Sequence, residues 1–240
     1  MKLYNLCVFF MIQFQMRKSQ LSDDEITKMI QYHNDNRSTV KPPATNMREF
    51  KWSNKLARLA DKWSKQCIWE HPKEDNKEYA PYGQNLYYYE TSPNALGTAE
   101  KAVISWSDEI QFFTYPITCS GGICGHYTQN IWADTYEVGC GKAICKGQSA
   151  STSKLFVTCQ YYPRGNYINT APYETGTPCS KCPETHKFCN KNLCSVTGLP
   201  SSSNHNPPND GELTKGNIIN NFTLITAIFI VFDMIFKQII

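Results

Sequence analysis

Three residues of types that do chemistry lie in or beside apolar segments, and they are scattered along the chain. His33 falls on the apolar stripe of a helical segment, and His126 follows the stretch Gly121-Gly122-Ile123-Cys124-Gly125. Glu109 stands three residues after Trp106, at the edge of another apolar stripe. Two imidazoles and a carboxylate thus approach a core from three separate segments and could converge, which spacing alone does not show. Their spacing matches no metal signature, neither H-E-x-x-H nor paired C-x-x-C. By residue type alone, a buried and hydrogen-bonded histidine is the plainer role for either. The C-x-x-C at Cys179–Cys182 would suggest redox chemistry in a cytosolic chain; in a cysteine-rich tail it reads as structural.

The 240 residues include 11 Cys. Cys7 stands apart and the other ten lie between Cys67 and Cys194, an even number with no zinc-like spacing. Such a set implies disulfides and an oxidising compartment. Lys and Arg number 24 against 21 Asp and Glu, and the excess sits at the ends, so that residues 21–211 carry 19 of each sign. A balanced body without a basic block leaves no footprint for nucleic acid.

Residues 1–20 read as a secretory signal peptide: Lys2 precedes an apolar run, Leu6 to Ile12, too short to span a bilayer. Residues 197–216 form a polar linker rich in Pro, Ser and Asn, and residues 217–240 an apolar tail. The uninterrupted stretch Phe222–Phe232 covers about 16 Å as a helix, against a bilayer core of about 30 Å. Extending it brings in Asp233 and Lys237. A GPI-attachment signal cut near Asn209–Gly211 is the expectation, with a single-pass helix or an amphipathic tail as alternatives. In each of the first two cases the membrane is met through the C-terminus.

The body between these ends patterns as a mixed domain. Ser22 and Glu25 form a capping box before a helix with Ile26, Met29, Ile30 and His33 on one face, ending near Arg37. Ser53 is placed to cap a second helix whose core face is Leu56, Leu59, Ala60, Trp63 and Cys67. A third is expected over 98–113, with Ala99, Val103, Trp106, Ile110 and Phe113 inward. Residues 136–140 and 155–161 are strand-like, joined by a polar connection, and plausible hairpin partners. Three helices on a short antiparallel sheet is an α+β layer arrangement. The piece carrying Cys179, Cys182, Cys189 and Cys194 is too small for its own core and must be stapled.

Five ordered segments resemble the signatures of the CAP superfamily, the cysteine-rich secretory, antigen 5 and pathogenesis-related 1 proteins. Gly125-His126-Tyr127-Thr128-Gln129-Asn130-Ile131-Trp132 resembles its G-H-Y-T-Q-x-x-W, and Cys159 to Tyr167 its second signature. His33-Asn34-x-x-Arg37, Gly83-Gln84-Asn85-Leu86 and Trp106-x-x-Glu109 resemble three further motifs. The layout is similar to glioma pathogenesis-related and helminth venom-allergen-like members, with a CAP domain over 21–175 and a small cysteine-rich hinge over 176–196.

The resemblance implies a three-layer α-β-α sandwich with a cleft formed by His33, Gln84, Glu109 and His126. It implies the disulfides Cys67–Cys145, Cys119–Cys124, Cys140–Cys159, Cys179–Cys189 and Cys182–Cys194. Gln84 stands where many members have an acid, and an amide is neither a general base nor a good zinc ligand. No cofactor is therefore required, and weak zinc binding through His33, Glu109 and His126 is the most to expect. The resemblance further implies an apolar ligand such as a sterol or fatty acid, met by a loop with Phe112, Phe113 and Tyr115, or a partner among extracellular or host proteins. A hydrolase using His33, Glu109 and His126 is the alternative, against which the lost acid at Gln84 speaks. The one sequon in the body, at Asn36, is a candidate for glycosylation.

Overall fold

The computed structural model describes residues 21–198. The expected signal peptide, the apolar tail and all but the start of the polar linker lie outside these residues. No helix within them is long and apolar enough to cross a membrane.

Helix α1 (Asp23–Ser38) begins with the expected capping box: Ser22 Oγ accepts from the Glu25 N–H, and the Glu25 carboxylate accepts from the Ser22 N–H. Its buried positions repeat every four residues, Glu25, Met29, His33 and Arg37. Three of these are polar, and each is held by a tertiary or backbone partner. Helix α2 (Asn54–Ser64) starts after Ser53, but the Ser53 side chain makes no capping bond. Cys67 lies beyond that helix, exposed and in a left-handed conformation (φ 56°), so it is not on the core face.

A four-stranded sheet lies between the helices, in the order β1-β5-β6-β2. Strand β1 is Lys51–Trp52, β2 Gly83–Thr91, β5 Glu137–Lys146 and β6 Ser153–Tyr162. β5 and β6 pair antiparallel, as the sequence suggests, and β2 pairs antiparallel with β6, while β1 runs parallel to β5. Residues 155–161 of β6 are all buried because both of its faces are covered. One face packs Leu155, Val157 and Tyr161 against Met29 of α1 and against Ala102, Val103 and Trp106. The other packs Phe156 and Leu86 against Trp63 of α2. Gly139 and Gly141 let α2 approach β5 at backbone contact; a Cβ at either would overlap the α2 main chain.

The third expected helix is cut short. α3 covers Lys101–Ser107, a 3-10 turn follows over Asp108–Phe112, and a small hairpin is made by β3 (Phe113–Thr114) and β4 (Thr118–Cys119). Ser107 Oγ donates back to the Val103 carbonyl (2.6 Å) at the point where the α-helix gives way to the tighter turn. The tighter turn carries Ile110 out to solvent, where it is 51% exposed. It also aims Glu109 at the start of α4 (Gly125–Asn130).

All ten cysteines from Cys67 onward are paired: Cys67–Cys145, Cys119–Cys124, Cys140–Cys159, Cys179–Cys189 and Cys182–Cys194. Cys140 and Cys159 sit directly opposite one another in the β5–β6 hairpin. The hinge ends in a hairpin of β7 (Phe188–Asn190) and β8 (Leu193–Ser195). It docks on the body through Cys194 N–H to Met47 O (2.7 Å) and Glu49 N–H to Cys194 O (2.9 Å).

Candidate functional site

His33 is not part of a cleft. It is 0% exposed, and its Nδ1 lies 2.7 Å from the Met29 carbonyl oxygen. A carbonyl only accepts, so Nδ1 carries the proton, and Nε2 lies 3.0 Å from the Tyr161 hydroxyl oxygen. That hydroxyl donates to Asn130 Oδ1 (3.0 Å) and accepts from Asn85 Nδ2 (3.2 Å). Burial pushes the His33 pKa down to about 4, outweighing the Met29 bond, with Arg37 adding to the fall. This is a neutral core histidine.

Glu109 and His126 do meet. His126 Nδ1 lies 2.5 Å from Glu109 Oε1, while Glu109 Oε2 accepts from the backbone N–H groups of His126 (3.0 Å) and Tyr127 (3.1 Å). The carboxylate thus ties down the first turn of α4 and orients the imidazole, which stacks on Trp106 with ring centroids 6.1 Å apart. The nearby Ser107 hydroxyl is committed to the Val103 carbonyl and to the Asn36 amide nitrogen. It is therefore no poised nucleophile.

Gln84 finds a partner that sequence reasoning missed. His71, from the polar loop between α2 and β2, sets Nδ1 2.9 Å from Gln84 Oε1. The amide oxygen accepts, so Nδ1–H donates and Nε2 becomes the ring's acceptor. Both residues line a cleft of about 540 Å³, together with Lys73, Glu74, Arg164 and Gln160. Gln84 Nε2 and both side-chain polar atoms of Gln160 are buried without a protein partner. The next residue on β2, Asn85, donates to the His126 carbonyl oxygen (3.0 Å). Successive residues of one strand therefore carry the His71–Gln84 pair and brace the Glu109–His126 pair.

This arrangement corrects the expected ligand set. Both His33 nitrogens are engaged in the interior, and both Glu109 oxygens are used locally. Among the described residues, the only trio of His, Cys, Asp or Glu with ligand atoms mutually within 4.8 Å is Cys179, Cys182 and Cys194. Those sulfurs are already in disulfides. The donor set does not fit a three-ligand zinc centre.

The aromatic loop splits as well. Phe113 packs on Tyr127 (5.7 Å) and lines a groove of about 320 Å³ with Pro116, Ile117, Trp132, Tyr167 and Pro172. Tyr115 instead turns inward, its hydroxyl donating to the Tyr173 carbonyl at 2.9 Å. Phe112 covers Gly122, where a Cβ would overlap its ring. Asn36 is half-buried with its amide nitrogen against Ser107.

Comparison with known proteins agrees with this architecture. The model of the cysteine-rich secretory protein (CAP) family matches residues 30–161. Peptidase inhibitor R3HDML of Mus musculus is 34% identical over 201 residues, 78% of this chain and 77% of the relative. GLIPR1-like protein 1 of Bos taurus is 34% identical over 217 residues, 87% of this chain and 88% of the relative. A crystal structure of NaASP2 with Zn²⁺ superposes with a TM-score of 0.59 at 26% identity, covering 75% of this chain and 98% of that one. Family relationship and five disulfides together support an extracellular setting. With its sandwich, its hinge and its matched segments accounted for, the chain belongs to the cysteine-rich secretory protein (CAP) family.

Proposed function

We propose that this protein is a non-catalytic extracellular binding module that holds part of an apolar ligand, of sterol or fatty-acid class, in the groove beneath Phe113. The observation behind this is the groove itself: Phe113, Pro116, Ile117, Trp132 and Pro172 line about 320 Å³ beside the Cys119–Cys124 disulfide. That volume is at the lower end for small-molecule sites, so it suits a ring edge or acyl segment better than a whole lipid. Solvent extraction and mass spectrometry of the secreted chain should recover bound lipid, and Phe113→Asp should lose it. A chain that carries none, and takes up neither a sterol nor a fatty acid offered in excess, refutes the reading.

A protein partner is the second reading. The polar cleft and the mouse relative's designation as a peptidase inhibitor favour it. Hydrolysis is disfavoured because His33 is enclosed in the core, away from Glu109 and His126, and the Ser107 hydroxyl is engaged by Val103 and Asn36. Zinc is present in the solved relative; here the amide of Gln84, a poor zinc ligand, faces His71 in the cleft. Attachment to the outer membrane surface through the C-terminal tail belongs to the same proposal. Release from cells by phosphatidylinositol-specific phospholipase C supports a GPI anchor, and retention refutes it.

A further inference from the structure

Two disulfides of the hinge lie in contact. Cys189 and Cys194 face each other across the β7–β8 hairpin and are bonded to Cys179 and Cys182, which flank a tight turn. The Sγ atoms of Cys179, Cys182 and Cys194 all lie within 4.8 Å of one another. One sulfur of the first bond is therefore a near neighbour of both sulfurs of the second. Exposure is graded across the four: Cys194 is 0% exposed, Cys179 and Cys182 are half-buried, and Cys189 is exposed.

We propose that the hinge is a thiol-exchange site, in which Cys189 takes up an external monothiol and the released Cys179 displaces Cys182 from Cys194. In the first step the external thiolate attacks Cys189 Sγ, the Cys179–Cys189 bond breaks, and its electron pair leaves on Cys179. In the second, the Cys179 thiolate attacks Cys194 Sγ, the Cys182–Cys194 bond breaks, and the pair leaves on Cys182, which takes a proton from water. Each step makes one S–S bond and breaks one, so the monothiol is the only co-reactant.

Access and leaving-group ability set this order. Cys189 is the exposed residue of the four and the one an external thiolate meets first, which makes Cys179 the leaving sulfur and frees it inside the cluster. For the second step the better leaving group is the thiolate that water can solvate. Cys182 is half-buried, whereas a thiolate at fully enclosed Cys194 would be desolvated. Cys194 is also held by Met47 and Glu49, so β8 keeps its place on the body while the turn carrying Cys182 comes free. The product holds a Cys179–Cys194 bond, a mixed disulfide on Cys189 and a thiol at Cys182.

The test uses the full secreted chain incubated with excess glutathione, quenched in acid, unfolded, alkylated and mapped by mass spectrometry. The expected result is glutathione on Cys189, alkylation of Cys182 and a cross-linked peptide pair containing Cys179 and Cys194. Absence of an adduct at Cys189, alkylation of Cys179 with Cys182–Cys194 intact, or alkylation of Cys194 would each overturn the proposal. A Cys189→Ala chain provides a second measurement, since its Cys179 lacks a partner from the outset. Without any added thiol it should show Cys182 alkylated; alkylation at Cys179 instead would overturn the exchange step.

Discussion

Arg37 is the substitution from which the fold should suffer most for the smallest chemical change. Its guanidinium is 1% exposed and faces no carboxylate within hydrogen-bond reach among the described residues. Instead it makes six N–H···O contacts of 2.6–3.3 Å to five carbonyl oxygens, those of Arg48, Asn130, Trp132, Ala133 and Thr135. Its Cζ also lies 4.1 Å from the centroid of the Phe50 ring. Burial pushes its pKa down to about 9, Arg48 adding to the fall and Asp134 opposing it, so the group stays charged at neutral pH. Arg37→Lys keeps that charge but has three N–H groups on one nitrogen, and at least two carbonyls lose their donor. At about 1–3 kcal/mol for each buried unsatisfied group, the loss is about 2–6 kcal/mol. Urea unfolding with the disulfides intact would measure it, and the melting point should fall by about 4 °C or more. An exposed Arg58→Lys chain serves as the control. If Arg37→Lys lies within about 0.5 kcal/mol of the parent, the range of ordinary surface changes, the fork does not organise the segment after α4 and the reasoning fails.

Three further outcomes follow from the same geometry. The folded His33 pKa, about 4, lies below its ordinary 6.5, so the unfolded chain binds the extra proton between those values. Stability should therefore be intact above pH 6.5 and fall as the pH drops towards 4, by about 3 kcal/mol in total. Urea midpoints across that window should show the slope, and a His33→Met chain should flatten it; an unchanged slope rejects the assignment. Asn36 should carry no glycan, because its amide nitrogen is held by Ser107 and the adjoining Arg37 is locked in the core. Asn36→Gln should then leave the glycosidase-sensitive mass unchanged, and a lost glycan would count against it. Gln84→Glu should tighten zinc binding in calorimetry tenfold or more, about 1.4 kcal/mol, by giving His71 a carboxylate neighbour in the cleft. Equal affinities would show that the amide is not what weakens the site.

The sequence was most legible where burial repeats. The stripe of α1, the capping box at Ser22 and the β5–β6 hairpin all carry strong local patterns, and each stands in the structure. The third helix misled because Ile110 and Phe113 continue the helical spacing of Val103 and Trp106. The chain instead tightens to a 3-10 turn after Ser107, and a periodicity count does not register that change. β2 was legible only as a short motif, since an edge strand with three consecutive tyrosines has no clean alternation.

The histidines show the same limit in sharper form. His33 sits in a motif segment, yet its spacing from Met29 and Arg37 already placed it on a buried face, and a buried face is where it stays. His71 sits in a loop without period, positioned by tertiary partners: the Cys67–Cys145 bond four residues before it and Gln84 across the cleft. The only local signal for it was a histidine in a polar loop just ahead of Gly83-Gln84. What separates the three imidazoles chemically is the group facing Nδ1: a carbonyl oxygen for His33, an amide oxygen for His71 and a carboxylate for His126. Of the three, His126 alone faces a carboxylate, which fixes its ring through Nδ1 while tying down the start of α4. The pair the fold fixes most tightly is therefore Glu109–His126, while the pair that faces the polar cleft is His71–Gln84.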